Sequence, residues 1–311
     1  MRILRVMLVA LLVSSAAAFA ASGPKKFQTL DDAAQALITA LRANDQKALA
    51  EIFGPHAGSI VSSGDAVADR NAYQRFAAAY AKAHRFEGGG GKVVLAVGDD
   101  DYPFPIPLVP DGPDWRWDAD AGREEILNRR IGRNELDAIQ VCLAYVDAQR
   151  EYYSEDRDGD GVREYAQRIA SSPGKHDGLY WPAKRGELPS PLGPLVVQAQ
   201  SEGYAAAGSG RSQSRTPFHG YLYRMLMRQG PDAPGGAYEY VVGGHMIGGF
   251  ALLAYPANYG VSGVMTFMVS HDGDVYQKDL GRATLSAQGA IQSFNPDSSW
   301  NRVVDAVTPT Q

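Results

Sequence analysis

Residues 121–154 read AGREEILNRRIGRNELDAIQVCLAYVDAQREYYS, the longest helical pattern in the chain. In its second half the apolar side chains recur every three or four positions, as on one face of an α-helix. This stripe consists of Leu136, Ile139, Cys142, Leu143 and Val146. Asn134 follows Gly132 and is a favourable N-cap residue, so the spacing predicts a new helix start there. We expect Cys142 to be a buried core residue of this helix.

Upstream of this stretch, helical patterns give way to strand patterns. Thr29 followed by Asp31 and Asp32 is a typical helix start, and helical spacing recurs near residues 48–53 and 70–80. The composition then predicts three strands, over residues 92–97, 104–109 and 115–118.

Downstream, residues 171–236 are rich in Gly, Pro and Ser, and we expect them to form mostly long surface loops. Runs of Tyr, Val and Phe separated by glycine turns indicate strands in the last third of the chain. These runs cover residues 221–227, 238–242, 250–255, 264–269 and 275–279. We expect them to form an antiparallel sheet.

This order of elements predicts an α+β fold. N-terminal helices and a curled antiparallel sheet would be followed by a long helix packed on a second antiparallel sheet. We predict a signal peptide over residues 1–20, a helix-plus-sheet domain over 21–133, and a long-helix-plus-sheet domain over 134–311. In element order alone, the first domain resembles the cone-shaped fold of nuclear transport factor two and its relatives.

The first twenty residues have the three parts of a secretory signal peptide. Arginines stand at positions 2 and 5, an uncharged apolar run covers residues 6–18, and Ala18-Phe19-Ala20 provides the small residues of a cleavage site. An uncleaved membrane anchor is the alternative, but a spanning helix needs about 20 apolar residues and this run is shorter. We expect cleavage after Ala20, a periplasmic or secreted protein, and no membrane span after cleavage.

Charge and cysteine content limit the function classes further. The chain has 311 residues and a formal net charge of −5, which would become −7 without residues 1–20. Surfaces that bind nucleic acids are strongly basic, so we expect no nucleic-acid partner. The one cysteine can form no disulfide within the chain, and a chain of this length buries a sufficient core without one.

Several segments resemble a family of exported bacterial proteins catalogued as domain of unknown function 2950. They are residues 121–139, Tyr-Val-Asp-Ala-Gln-Arg-Glu-Tyr at 145–152, Asp-Gly-Leu-Tyr-Trp-Pro at 177–182, and residues 248–256 and 259–267. The resemblance covers nearly all of the chain after the signal peptide. It implies an exported protein, and it supplies no catalytic residue because the family has no assigned activity.

The C-terminal half also resembles the globular part of pilin-like proteins. The similarity lies in a long helix ending in tyrosines, followed by strands with the patterns Phe-Ala-x-x-Ala-x-Pro and Asp-Gly-x-Val-Tyr. A pilin carries an apolar assembly helix at its mature N-terminus, whereas this helix lies in mid-chain and is polar. The resemblance therefore implies a soluble derivative and not a filament subunit.

The sharpest local motif follows the long helix, at Asp156-Arg-Asp-Gly-Asp-Gly-Val-Arg-Glu164. Carboxylates at alternate positions followed by glycine match the first half of an EF-hand calcium loop. The predicted ligands are Asp156, Asp158, Asp160, the Val162 carbonyl and Glu164. Gln167 occupies the position of the bidentate glutamate. We expect a structural Ca²⁺ ion, and the alternative is a solvated acidic turn.

Other polar groups give weaker signals. The charged run from Arg123 to Glu135 could bind an anion or supply acid–base groups, but such runs usually form an exposed helical face. We interpret it as the joint between the two domains. The six histidines lack the spacing of zinc signatures. We predict no organic cofactor and assign no catalytic residue.

The function that fits these observations is a non-enzymatic binding or assembly factor of the cell envelope, with an envelope protein or a glycan as partner. The alternative is a periplasmic hydrolase acting on cell-wall or peptide material at the domain interface. A deep polar cleft with convergent His, Asp or Glu would favour the hydrolase. A shallow aromatic groove or an exposed sheet edge would favour the binding factor.

Overall fold

The computed structural model describes residues 23–89, 91–157, 159–183, 186–187, 189–205 and 216–304. The predicted signal peptide lies outside these residues. The helices are α1 (Leu30–Ala43), α2 (Gln46–Phe53), α3 (Gly58–Val61), α4 (Ala66–Lys82), α5 (Ala119–Tyr153), α6 (Gly193–Ser201) and α7 (Thr284–Ala290). The strands of the first half are β1 (His84–Gly89), β2 (Lys92–Val97), β3 (Tyr102–Pro103), β4 (Leu108–Asp111) and β5 (Asp114–Trp117). Those of the second half are β6 (Tyr221–Leu226), β7 (Arg228–Gln229), β8 (Tyr238–Glu239), β9 (Val241–Val242), β10 (His245–Met246), β11 (Ala251–Pro256), β12 (Met265–Ser270), β13 (Val275–Asp279) and β14 (Asn301–Arg302).

Short polar residues begin three of the first four helices. The Thr29 side chain accepts a hydrogen bond from the backbone N–H of Asp32, and Asp45 does the same for Ala48. Asp65 caps α4. Each cap satisfies backbone donors that have no partner inside the helix. The helix starts are therefore fixed by residues within one turn.

The first half has its own apolar core. Strands β1, β2, β4 and β5 form an antiparallel sheet in that order, and β3 pairs with β2. Helices α1 and α4 pack on each other and on this sheet. Leu37, Leu49, Leu95 and Trp117 are among the buried residues between them. The predicted arrangement of helices on an antiparallel sheet is confirmed.

The second half is built on an antiparallel meander. Its strand order is β14-β13-β12-β11-β6. All six residues of β11 are buried, because α5 packs on this sheet and α7 also contacts β11. A strand covered on both faces is apolar throughout, which explains the run Ala251 to Pro256. The predicted long helix on a second antiparallel sheet is also confirmed, and the fold is α+β.

Helix α5 is continuous over 35 residues and joins the two halves. It begins at Ala119 and passes through Gly132, so the helix start expected at Asn134 is wrong. Asn134 is instead buried and donates to the Ser262 carbonyl, a contact with the second half of the chain. Residue 133 lies inside α5, and a domain boundary there stays a prediction. Cys142 is fully buried, as predicted.

Four local expectations differ from the structure. Residues 238–242 do not form a strand of the main sheet but two short strands, β8 and β9, which pair with β7 and β10. Strand β4 begins at Leu108 rather than at residue 104, because Pro105 and Pro107 have no N–H to donate to a neighbouring strand. Strand β1, which runs as far as Gly89, is not among the three strands expected in this region. Helix α6 forms within the region expected to be loops, with Pro194 in its first turn. Of the helices that the structure describes, none combines the length and apolarity needed to span a membrane.

Candidate functional site

The acidic motif forms a turn that closes on its own backbone. Asp156 accepts hydrogen bonds from the backbone N–H groups of Gly159 and Gly161, at 2.8 and 2.9 Å. Both glycines have positive φ, +79° and +91°, which explains their place in the motif. Asp158 lies outside the described residues. The Asp156 carboxylate thus shapes the turn.

Asp160 and Glu164 lie close to a histidine from the second half of the chain. His245 begins β10, and its Nδ1 lies 3.3 Å from Asp160 Oδ2 and 3.5 Å from Glu164 Oε2. These donor atoms all lie within 4.8 Å of one another. Glu164 Oε2 also accepts the backbone N–H of Met246 at 2.9 Å, and Tyr165 N–H donates to the Met246 carbonyl at 2.8 Å. The turn is therefore pinned to β10.

The predicted metal ligands consequently divide into two groups. Asp160 and Glu164 converge, and Val162 donates its N–H to Asp160 Oδ1 at 2.8 Å. Asp156 is not part of the convergent group. Sequence reasoning missed His245, since no zinc spacing surrounds it and its partners lie in a distant part of the chain. Binding of Ca²⁺ by this loop stays a prediction.

A second candidate site is an apolar cavity of about 390 Å³ inside the first half. Helices α1, α2, α4 and α5 and the first sheet all contribute to its wall. The apolar lining includes Leu37, Phe53, Val61, Phe76, Phe104 and Ile126. Its volume falls within the range of small-molecule sites, about 300–1,000 Å³. The cavity can take an apolar group of modest size.

Three guanidinium groups also belong to this wall. Arg75 comes from α4, and Arg130 and Arg133 come from α5. Two carboxylates attract them: Asp69 acts on Arg130, and Asp137 acts on Arg75 and Arg133. Desolvation by burial is the largest influence on both carboxylates and raises the pKa of each. The three arginines thus outnumber the two carboxylates that act on them directly.

Arg130 is the most enclosed of the three arginines. It donates to the carbonyls of Ser59 and Ile60, at 2.7 and 2.6 Å. Desolvation lowers its pKa, although Asp69 opposes that change. The sequence predicts that the whole charged run, Arg130 included, forms a domain joint. In the structure, Arg130 instead lines the cavity of the first half. Glu135 accepts from the backbone N–H groups of Val264 and Met265, at 2.9 and 3.0 Å, and so contacts the second half of the chain.

The two halves meet around a buried carboxylate. Asp65 Oδ2 accepts the hydroxyl of Tyr204 at 2.8 Å and the N–H of Gly220 at 3.0 Å. The Asn258 side chain donates to the Ser63 carbonyl at 2.8 Å. Asp65 also caps α4, so one side chain orders a helix start and a contact between distant segments.

His219 lies beside this junction and faces two carboxylates. Its Nδ1 is 3.5 Å from Asp137 Oδ2, and its Nε2 is 3.5 Å from Glu202 Oε2. A general base needs a free ring nitrogen directed at the nucleophile. Because a carboxylate faces each nitrogen, the arrangement matches an ion-pair bridge better than a catalytic base.

Comparisons with known proteins give a family and no activity. A family model described as "Protein of unknown function (DUF2950)" matches residues 24–303. The chain matches no curated protein and no solved structure. The matched span includes both apolar cores, the cavity and the carboxylate–histidine group. This chain therefore belongs to the DUF2950 family, as the residues of the long helix and the C-terminal strands suggested.

Proposed function

We propose that this protein is an exported cell-envelope binding protein that holds an amphiphilic carboxylate, such as a medium-chain fatty acid, in the cavity of its first half. The observation that carries the proposal is an apolar cavity of about 390 Å³ with three arginines in its wall. The apolar lining would take the hydrocarbon chain, and the guanidinium groups would take the carboxylate. The ligand is bound and not transformed.

Charge and burial both support an anionic head group. Arg75 and Arg133 belong to the lining and are exposed to solvent, whereas Arg130 is partly buried. A guanidinium in a partly desolvated position gains from a carboxylate partner, since charge-assisted hydrogen bonds are among the strongest in proteins. An uncharged chain of equal length lacks this interaction.

Displacement of a fluorescent fatty acid from the purified protein tests the proposal. Decanoate should displace the probe at a stoichiometry of one, and decanol should bind more weakly. Octanoate should bind about fifteenfold more weakly than decanoate, because each buried methylene contributes about 0.8 kcal/mol. Equal binding of all three compounds would contradict the proposal.

Two substitutions on the same helix provide a matched pair. Ala72 lines the cavity, and Ala78 faces solvent on α4. We expect Ala72→Phe to lower decanoate affinity more than about tenfold because the ring takes space that the chain needs. Ala78→Phe should leave the affinity unchanged. Equal affinities of the two variants would place the ligand outside this cavity.

The head-group contact has its own test. The double substitution Arg75→Gln with Arg133→Gln should weaken decanoate binding and leave decanol binding unchanged. Arg42→Gln, on the exposed side of α1, removes a charge that is not part of the lining and serves as the control. If all variants bind decanoate equally well, the arginines do not recognise the carboxylate.

Export is tested separately. Fractionation of cells that produce the full chain should place the protein in the periplasm or the medium, with a mature N-terminus at Ala21. A full-length chain in the membrane fraction would contradict cleavage after Ala20. The hydrolase alternative has less support, because the histidine at the junction has a carboxylate at each ring nitrogen.

A further inference from the structure

We infer that Asp160, Glu164 and His245 form a site for a transition metal ion of the Zn²⁺ class. The three residues offer two carboxylate oxygens and one imidazole nitrogen, all within 4.8 Å of one another. This site is remote from the cavity and does not depend on the proposed fatty-acid binding. It also differs from the calcium loop expected from the sequence, because it includes a histidine and leaves out Asp156.

The spacing of the donor atoms fits a tetrahedral ion. Zinc binds nitrogen and oxygen ligands at about 2.0–2.1 Å, which places two tetrahedral ligands about 3.3–3.4 Å apart. His245 Nδ1 lies 3.3 Å from Asp160 Oδ2 and 3.5 Å from Glu164 Oε2. Both distances from the imidazole nitrogen therefore suit a shared ion, the two carboxylate oxygens lie within 4.8 Å of each other, and water can supply a fourth ligand.

The environment of the histidine is a separate observation. Its Nδ1 atom is inaccessible to solvent and has no hydrogen-bond partner among the described residues, despite two nearby carboxylates. Buried polar atoms normally have a partner, and each exception calls for an explanation. A metal ion bonded to Nδ1 of His245 would satisfy this nitrogen and both carboxylates together.

The surrounding backbone holds the ligands in place. Glu164 Oε2 accepts the N–H of Met246 at 2.9 Å, so the carboxylate is oriented by the neighbour of His245. Gln167 donates to the Gly244 carbonyl at 2.5 Å on the other side of the histidine. Such outer contacts fix the orientation of ligands and raise metal affinity.

The donor set favours zinc over calcium. Calcium prefers six to eight oxygen ligands, whereas imidazole is a common ligand for zinc, copper and nickel. Asp156, which could add oxygen ligands, instead accepts two backbone N–H groups of the turn. With three protein ligands, the site matches the ligand number of zinc centres that hold water in the fourth position.

Isothermal titration of the purified, metal-free protein with Zn²⁺ and with Ca²⁺ tests the site. We expect one zinc ion per chain and weaker or no binding of calcium. His245→Ala should weaken zinc binding about hundredfold or more, since loss of an outer contact alone costs 10–100-fold. His245→Gln provides a second variant that preserves the size of the side chain.

His56→Ala is the matched control. His56 also lies near a carboxylate, Asp120 at 3.8 Å, but it faces just this one among the described residues. This variant should bind zinc like the wild type. Cobalt provides a spectroscopic test, since the visible bands of tetrahedral Co²⁺ should appear in wild type and His56→Ala and be lost in both His245 variants.

The proposal is overturned by any of three results. These are the absence of stoichiometric zinc binding, equal zinc affinity in wild type and in a His245 variant with native circular dichroism, and tighter binding of Ca²⁺ than of Zn²⁺. The first two results would identify His245 as an ion-pair partner of the two carboxylates. The third would restore the oxygen-only calcium loop.

Discussion

Two glycines of α5 should respond in opposite ways to replacement by alanine. Gly122 is buried near the start of the helix, and a Cβ atom there would lie 2.6 Å from the Pro105 carbonyl oxygen and 2.7 Å from Ile106 Cα. Gly132 lies ten positions further along, and a Cβ atom there would meet nothing within 4 Å. Neither glycine has a positive φ. The two positions therefore differ in packing and not in backbone conformation.

The expected free energies follow from this difference. Alanine in a helix interior is more favourable than glycine by about 0.8–1.0 kcal/mol, so Gly132→Ala should stabilise the protein by about that amount. At Gly122 the new methyl group meets backbone atoms that cannot rotate away. Overpacking typically costs about 1–3 kcal/mol, which exceeds the helical gain. The free energies of unfolding of the two variants should differ by about 1–3 kcal/mol.

Urea unfolding followed by tryptophan fluorescence measures both variants against the wild type. The four tryptophans stand at positions 115, 117, 181 and 300, so the signal reports both halves of the chain. Comparison requires equal m values, because a change in m indicates a change in exposed surface. If Gly132→Ala destabilises the protein, α5 does not continue through residue 132. If Gly122→Ala stabilises it, the contact with Pro105 is absent.

Three further predictions concern buried polar groups. Asp65→Ala should lower the free energy of unfolding, measured in urea, by about 3–5 kcal/mol, because it removes a helix cap and leaves two buried donors, one of them the Tyr204 hydroxyl, without their acceptor. Asp45→Ala removes only a cap and should lower it by about 1 kcal/mol. Burial raises the pKa of the Cys142 thiol to about 12, so dithionitrobenzoate should label it only in denaturant, and fast labelling of the native protein would contradict its burial. Burial also raises the pKa of Asp69 above 3.8, so the native state binds this proton more tightly than the unfolded state does. The free energy of unfolding of the wild type, measured relative to Asp69→Asn, should therefore fall as the pH rises through the folded-state pKa. A difference that does not change with pH would contradict the raised pKa.

The parts of the fold that local residues determine are readable from the sequence. Thr29 and Asp45 cap helices through backbone groups three residues away, so the signal is contained in one turn. The continuation of α5 through Gly132 is different, because tertiary contacts decide whether a glycine ends a helix. Asn134 looks like a cap by residue type, yet its side chain bonds to Ser262 in the second half. Because the same side-chain amide can cap a helix or make a buried tertiary contact, residue type alone does not distinguish the two roles.

The candidate sites were harder to predict for two physical reasons. The carboxylates of the acidic turn are adjacent in sequence, but their histidine partner comes from β10, and only the pairing of Tyr165 and Glu164 with Met246 brings it near. The cavity gives no sequence signal of its own. Its lining has the same apolar helical spacing as a filled core, and a gap between packed elements does not change that pattern.

The two proposed sites should bind independently, since α5 is the main element that joins them. A helix of 35 residues is about 52 Å long, and the stretch from Arg133 at the cavity to Tyr153 before the acidic turn covers about 30 Å of it. Coupling between sites requires an element with two arrangements that both ligands favour differently. A continuous helix packed on a sheet provides a single arrangement. Saturating zinc should therefore leave the decanoate affinity unchanged within about twofold, well below the roughly fivefold effect of typical coupling. A larger change would mean that α5 shifts on the sheet when one site is filled.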